Sequence, residues 1–311
     1  TALSARTYIE NVMDKLEKLC GVQQFQKANS PMHDLYHPET DDTPLLSEEH
    51  ASKYRGLIGS ANWIITLGRF DIAYATMALA RFSMAPREGH FKAMKRVFGY
   101  LRKYAKGRIL IDPGFFDQKE HQSNDFDNWR EFYPDAEEEL PPDQPTPLGT
   151  KARITIFVDA DHAHDVVTRR SVTGIILFIN KTPVKWISKR QKTVESSTYG
   201  SEMVAARVAT DLAVEFRYAL WMLGVEVDGP AQMFGDNKAV VINTTIPSSQ
   251  LKKKHNSICY HRVREAIAAK IINFFHIRSE DNYADIMTKP LPVNVFYRLV
   301  KPMLFRTPIW S

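Results

Sequence analysis

The sequence predicts an α/β protein, a mixed five-stranded sheet with flanking helices, preceded by a mainly helical region. Three observations support this fold class. The first third repeats apolar residues at helical spacing, the last half follows the order βββαβααβα, and a stretch rich in proline and acid separates them. The boundaries fall at residues 1–112, 113–150 and 151–311.

In the first segment, ARTYIENVMDKLEKL (Ala5 to Leu19) has the spacing of an amphipathic helix, and Gly21 is suited to end it. SPMHDLYHPETDDTP reads as a loop. Ser47 with Glu48 and Glu49 opens a second helix through YRGLIGSANWIITLG. DIAYATMALARFSM and HFKAMKRVFGYLRKYAKG continue the helical pattern, and RILIDP is one short strand. The middle segment has Pro134, Pro141, Pro142, Pro145 and Pro147 and no periodicity, so it reads as a linker, most simply a tether. RITIFVD, SVTGIILFIN and TPVKWISK then form a meander of three strands. Ser196, Ser197 and Thr198 offer N-caps for a long helix, SEMVAARVATDLAVEFRYALWML. AQMFGD is a strand before a helix at NKAVVINTT. HNSICYHRVREAIAAK, IINFFHIR and YADIMTK read as helix, strand and final helix. Trp186 and Trp221 fall at positions expected in the core.

With 311 residues and 44% hydrophobic composition, the chain can build two cores and is not disordered as a whole. Cys20 and Cys259 are far apart and outside any C-x-x-C spacing, so neither a disulfide framework nor a zinc site is expected. No apolar run reaches the roughly 20 residues of a membrane span, and no signal peptide opens the chain. The expectation is a soluble protein of a reducing interior, cytoplasmic or nuclear, without a membrane partner. Thr1 at the first position fits a processed or excised fragment. The net charge of +5 is uneven: residues 113–150 hold ten acids against Lys119 and Arg130, a net of −8, which leaves the remainder at +13. That balance suits a polyanionic partner.

Four acids carry the candidate chemistry. Asp159 ends the first strand of the sheet, Glu202 lies in the first turns of the long helix, Asp236 follows the fourth strand, and Asp285 falls early in the expected last helix. Carboxylates that converge without counter-charge repel one another, and divalent cations keep such a set ionised. Magnesium takes oxygen ligands and keeps several waters, and two ions about 4 Å apart can activate water and stabilise a departing oxygen. Two neighbours compete. Asp161 shares a strand face with Asp159 but is expected past the strand end, and Asp281 can merely cap the last helix beside Asn282.

The blocks VDADHAHD, RRSVTG, WISKRQKTVESSTYGSEMVA, GDNKA, KKHNSICYHRVRE and NYADIMTKPL resemble, in order and spacing, the RNase H domain of copia-type LTR retrotransposon Pol polyproteins. YIENVMDKL, SPM, YRGLIGSANWI, RFDIAYA and HFKAMKRVFGYLRK resemble the thumb and connection region that ends their reverse transcriptase. The resemblance covers nearly the whole chain outside the acidic stretch. It implies an RNase H-like fold and places the metal-binding acids on Asp159, Glu202, Asp236 and Asp285, with two Mg²⁺ or Mn²⁺ ions. The implied activity is hydrolysis of the RNA strand of RNA·DNA hybrids during reverse transcription, in the cytoplasm within a virus-like particle or in the nucleus. Transposase and integrase relatives lack an acid on the first helix, so Glu202 argues against strand-transfer chemistry. One departure stands out. Many RNase H enzymes carry a flexible histidine loop before the last acid, whereas HIRSEDNYAD offers only His276, inside a strand.

Substrate contacts are expected from two basic clusters beside helix N-termini. Lys185, Lys189, Arg190 and Lys192 precede the cap that includes Ser197, and Lys252, Lys253, Lys254 and His255 precede a later helix. A hybrid is told from DNA by its 2′-hydroxyls and groove shape, so cleavage should depend weakly on sequence. His261, Arg262 and Arg264 share one helix and read equally well as structural. The adjacent aspartates Asp41 and Asp42 lie in a proline-bounded loop rather than a palm hairpin, so no polymerase site is expected. The helical region is expected to grip duplex or to pack against a reverse transcriptase palm and fingers, another Pol subunit, or a second copy in a homodimer. The competing reading is a catalytically silent nucleic-acid-binding or structural subunit of a reverse transcriptase complex.

Overall fold

The computed structural model describes residues 2–116, 127–251 and 254–306. In chain order the elements are β1 (Ala2–Ser4), α1 (Arg6–Leu19), α2 (Glu48–Thr66), α3 (Ala73–Ala80), α4 (Glu88–Lys103), β2 (Arg108–Leu110), β3 (Ile154–Asp161) and β4 (Val172–Ile179). They continue with β5 (Thr182–Arg190), α5 (Thr198–Met222), β6 (Ala231–Gly235), α6 (Lys238–Thr245), α7 (Ser257–Ala268), β7 (Ile272–His276), α8 (Val293–Val300) and β8 (Leu304–Phe305). Internal contacts divide the chain into two units. One comprises Thr1–Ile111, Ala163–Arg169 and Ile286–Ser311, the other Asp112–His162 and Arg170–Asp285. The stretch from Ile286 onward, placed by sequence with the last segment, groups with the first unit because β8 pairs with β2 there.

The first unit is built on helices, as the periodicity predicts. α1 buries Ile9, Met13 and Leu16, and α4 buries Phe91, Met94, Val97, Phe98 and Leu101 along one stripe. Ser47 caps α2 by accepting from the His50 N–H, and Gly21 follows α1 at φ +66°. The loop after α1 presses onto α4. A Cβ at Gly99 would lie 1.9 Å from the Gln26 carbonyl oxygen, so only glycine allows that approach. β1 and β8 flank β2 in a small antiparallel sheet; at two or three residues they are too short to show in sequence. Beneath it, Arg69 forks onto Asp71 at 2.9 and 3.0 Å, Tyr100 donates to the same carboxylate, and Arg306 donates to the Tyr100 hydroxyl at 2.6 Å.

The second unit holds the mixed five-stranded sheet in the order β5-β4-β3-β6-β7. β3 pairs antiparallel with β4 and parallel with β6; β4–β5 is antiparallel and β6–β7 parallel. β3 and β4 are buried on both faces, which explains their near-continuous apolar sequence. Ile154, Ile156, Val158 and Ala160 share a core with Met203, Ala206, Ala209 and Ala213 of α5, whose small side chains permit close packing. Trp221 packs partly buried against this core, whereas Trp186, expected inside, is only half-buried on edge strand β5.

The described part of the acidic stretch is a packed strap and not a free tether. Trp129 is 6% exposed within the core, with the Arg264 guanidinium 4.9 Å over its ring. Glu138 receives two hydrogen bonds from Arg217 at 2.6 and 2.7 Å, and the Leu148 N–H donates to Gly224. Asp117, Glu120 and Asp125 lie outside the described residues. Composition correctly shows the absence of periodicity, yet one buried indole is enough to anchor an irregular segment. Of the basic residues on α7, Arg264 is structural. It is 2% exposed and donates to the carbonyls of Asn243, Ile246 and Pro247.

The expected final helix at YADIMTK is absent. Tyr283–Met287 forms a 3-10 turn, and the helix begins only at Val293. Pro290 and Pro292 disfavour the α conformation at the residues before them, so the turn cannot propagate.

Candidate metal centre

Strand alternation positions the acids. On β3, Thr155, Phe157 and Asp159 point away from the α5 face. Phe157 pairs in register with Phe234 of β6, which pairs with Phe275 of β7, and the rings lie 5.2 and 5.6 Å apart. Two residues beyond Phe157 and Phe234 stand Asp159 and Asp236. An aromatic layer thus supports two carboxylates side by side at the C-terminal ends of neighbouring parallel strands, where open α/β sheets place ligands. Between the layers, Gly235 keeps β6 close: a Cβ there would meet the Phe274 ring at 3.0 Å.

The third acid arrives on the segment after β7. Tyr283 packs its ring 4.7 Å from Phe157. Asn282, fully buried, donates from Nδ2 to the Val158 carbonyl at 2.9 Å and accepts at Oδ1 from the Ala284 N–H at 3.1 Å. The 3-10 turn bearing Asp285 is therefore tied to β3 one residue before Asp159. Ser279, on the same segment, donates to Asp236 Oδ2 at 2.6 Å. As a result, carboxylate oxygens of Asp159, Asp236 and Asp285 lie within 4.8 Å of one another. Asp159 and Asp285 are buried and Asp236 is half-exposed, so the cluster opens on one side.

Glu202 lies on α5. It is buried in the second turn of α5, whose N-cap Ser197 accepts from the Gly200 N–H. Gln191 Nε2 donates to both Thr173 Oγ1 and the Ser201 carbonyl, tying that turn to β4 beside Gly174, the partner of Asp159. The backbone of Glu202 is thereby carried toward the end of β3, but its carboxylate is not among the three gathered within 4.8 Å. Asp161 closes β3 by pairing with Val172, instead of lying past its end, and does not join the cluster. Asp281 ends a 3-10 turn and pairs with Arg278 at 2.8 Å. His276 is the last residue of β7, within the strand as expected, and is exposed.

The donor set fits a hard divalent cation. All three groups offer oxygen, with neither nitrogen nor sulfur, which suits Mg²⁺ or Mn²⁺. Opposite ligands of an octahedral ion with bonds of 2.0–2.1 Å are about 4.2 Å apart.

Ser279 and Asn282 are positioning residues that sequence reasoning missed; the one available signal was their place just ahead of Asp285. Asn282→Ala removes the buried side-chain donor to the Val158 carbonyl and frees the turn. The expected cost is about 1–3 kcal/mol of stability and a roughly 10–100-fold loss in Mn²⁺ affinity, read by calorimetric titration. Unchanged Mn²⁺ affinity would remove Asn282 from the site's support.

The chain is 26% identical over 298 residues to the retrovirus-related Pol polyprotein from transposon RE1 of Arabidopsis thaliana, covering 94% of this chain and 17% of that protein. It is 24% identical over 298 residues to the Pol polyprotein from transposon TNT 1-94 of Nicotiana tabacum, covering 94% of this chain and 19% of the relative. Both relatives are retrovirus-related transposon Pol polyproteins. The chain spans less than a fifth of the length of these two relatives. No protein-family model matches it. Among solved structures, the N-terminal RNase H domain of rv2228c from Mycobacterium tuberculosis, fused to maltose binding protein, aligns at 15% identity with a TM-score of 0.35, covering 49% of this chain and 98% of that one. The second unit is an α/β fold with the mixed five-stranded sheet and flanking helices that the sequence predicts.

The basic residues expected to contact substrate divide into two groups. Lys189 and Lys192 are exposed and Arg190 half-exposed at the end of β5 and just beyond it. Ser197 caps α5. Lys254 and His255 are exposed before α7, with His255 Nε2 3.6 Å from Glu195. Lys252 and Lys253 lie outside the described residues.

Proposed function

We propose that this chain is a ribonuclease H, hydrolysing the RNA strand of RNA·DNA hybrids with Mg²⁺ or Mn²⁺ during retrotransposon reverse transcription. The observation that supports this most is the convergence of Asp159, Asp236 and Asp285 on one point at the strand ends. Divalent ions bound there supply Lewis-acid activation of water and of the scissile phosphate. The three aspartates hold the ions, with Asn282 and Ser279 fixing their carriers. Glu202, in the second turn of α5, is the fourth acid of this reading. Lys189, Arg190 and Lys192 meet the phosphate backbone, a sequence-independent contact. The partner is a hybrid held with the rest of a reverse transcriptase.

A second reading, a catalytically silent binding subunit, is favoured by one feature, the position of Glu202 outside the cluster. Incubating the chain with labelled RNA·DNA, RNA·RNA and DNA·DNA duplexes, with and without Mg²⁺, separates the two. The nuclease reading expects loss of the RNA strand of the hybrid alone, and only with metal. An intact hybrid in the presence of Mg²⁺ and Mn²⁺ would favour the silent subunit.

A further inference from the structure

In the first unit, the loop between α1 and α2 folds over α4 and leaves a cleft of about 600 Å³, a size ordinary for small-ligand sites. The loop is anchored. The Phe25 N–H donates to buried Glu17 at 2.8 Å, Arg102 donates to the same carboxylate at 2.7 Å, and Gly99 admits the Gln26 carbonyl. Lys27 and His33 of the loop and Lys92, Lys95 and Arg96 of α4 line the cleft, and no Asp or Glu does. Lys92 and Arg96 are one turn apart and leave the same face of α4.

Arg96 is held in place. Its Nη1 lies 3.0 Å from His33 Nε2 and its Nη2 donates to Ser30 Oγ at 3.2 Å. Its Nε is buried without a hydrogen-bond partner among the described residues. Burial draws this guanidinium below its usual range, with Asp34 acting in the other direction. Asp41, behind Gly89, accepts from the Tyr36 hydroxyl at 2.9 Å and the Thr43 N–H at 3.0 Å and does not itself line the cleft. Cations gathered in a concavity are relieved by an anion. Gln24, Gln26 and Tyr36 on the same walls offer amides and a ring to a heterocycle beside it.

We propose that this cleft binds the phosphate of a single nucleotide unit, either free or at the unpaired end of a nucleic-acid strand. The cleft holds one such unit and is too small for a duplex. The site is independent of the nuclease reading, since none of its residues belongs to the carboxylate cluster.

The test uses the full chain in EDTA, which prevents hydrolysis, and the fluorescence anisotropy of a labelled, 5′-phosphorylated oligo-dT strand. Thymidine monophosphate serves as competitor. Lys92→Gln with Lys95→Gln should weaken strand binding about tenfold and lower the slope of log affinity against log salt by about 1–2. Arg96→Lys, which keeps the charge and loses the fork, should weaken it less. Matched melting curves exclude misfolding. Competition by the monophosphate in wild type assigns the cleft to a free nucleotide; strand binding that resists it but depends on the lysines assigns the cleft to a strand end. No binding by wild type, or an unchanged affinity and salt slope in the double variant, overturns the proposal.

Discussion

Asp236→Asn should lower hybrid hydrolysis by at least about a thousandfold while leaving the fold intact. The substitution keeps the shape of the side chain and its acceptor for Ser279, but removes one of three charges gathered within 4.8 Å. A metal ligand contributes several kcal/mol to transition-state stabilisation, and each ~1.4 kcal/mol is a factor of ten in rate. Stability should be unchanged or slightly raised without metal, because the charge removed was repelled by two neighbours. Binding of the hybrid should be largely retained, since the contacts expected to carry it are lysines and arginines elsewhere. The decisive comparison measures cleavage of a labelled hybrid, Mn²⁺ affinity and thermal unfolding on the same preparation. Wild-type turnover in the variant would take Asp236 out of the mechanism, and loss of folding would show its role to be structural.

The carboxylate site was legible in sequence to the extent that strand periodicity fixes position. A period of two places Asp159 on a definite face of β3, and parallel register then brings Asp236 beside it. Asp285 was legible as a residue but not as a conformation, because periodicity suggested a helix where Pro290 and Pro292 permit only a turn. Glu202 illustrates the opposite limit. Its place on α5 follows from the capping signal, yet whether its carboxylate joins the trio depends on side-chain torsions that no spacing encodes. Trp129 was hidden for a third reason: its neighbours have the composition of a linker, and its partners, Arg264 above all, lie more than a hundred residues away. Non-local contacts of this kind also placed the last strand, β8, in the first unit.

The same non-local logic governs the ion pair beneath β2. Asp71 is 2% exposed and Arg69 1%, and Asp71 also faces the charge of Arg306. Burial raises the proton affinity of Asp71, but Arg69 and the Tyr100 hydroxyl outweigh it and hold the carboxyl below its usual value. Removing this one carboxylate by Asp71→Ala leaves two buried guanidinium groups uncompensated, with an expected loss of ~3–5 kcal/mol and a melting temperature lower by about 10 °C or more. The pH dependence has a definite sign. A carboxyl whose folded value is depressed stabilises fully above its unfolded value of 3.8, and that contribution disappears as pH falls through the lower folded value. The gap in stability between wild type and Asp71→Ala should therefore be constant near neutrality and narrow only below about pH 4. Replacing both partners with apolar residues, Arg69→Met with Asp71→Leu, should recover part of the loss, because it removes the orphaned charge along with its partner. A double variant as unstable as Asp71→Ala would mean that the fork geometry, including the Arg69 bond to the Tyr104 carbonyl, matters more than the charge balance.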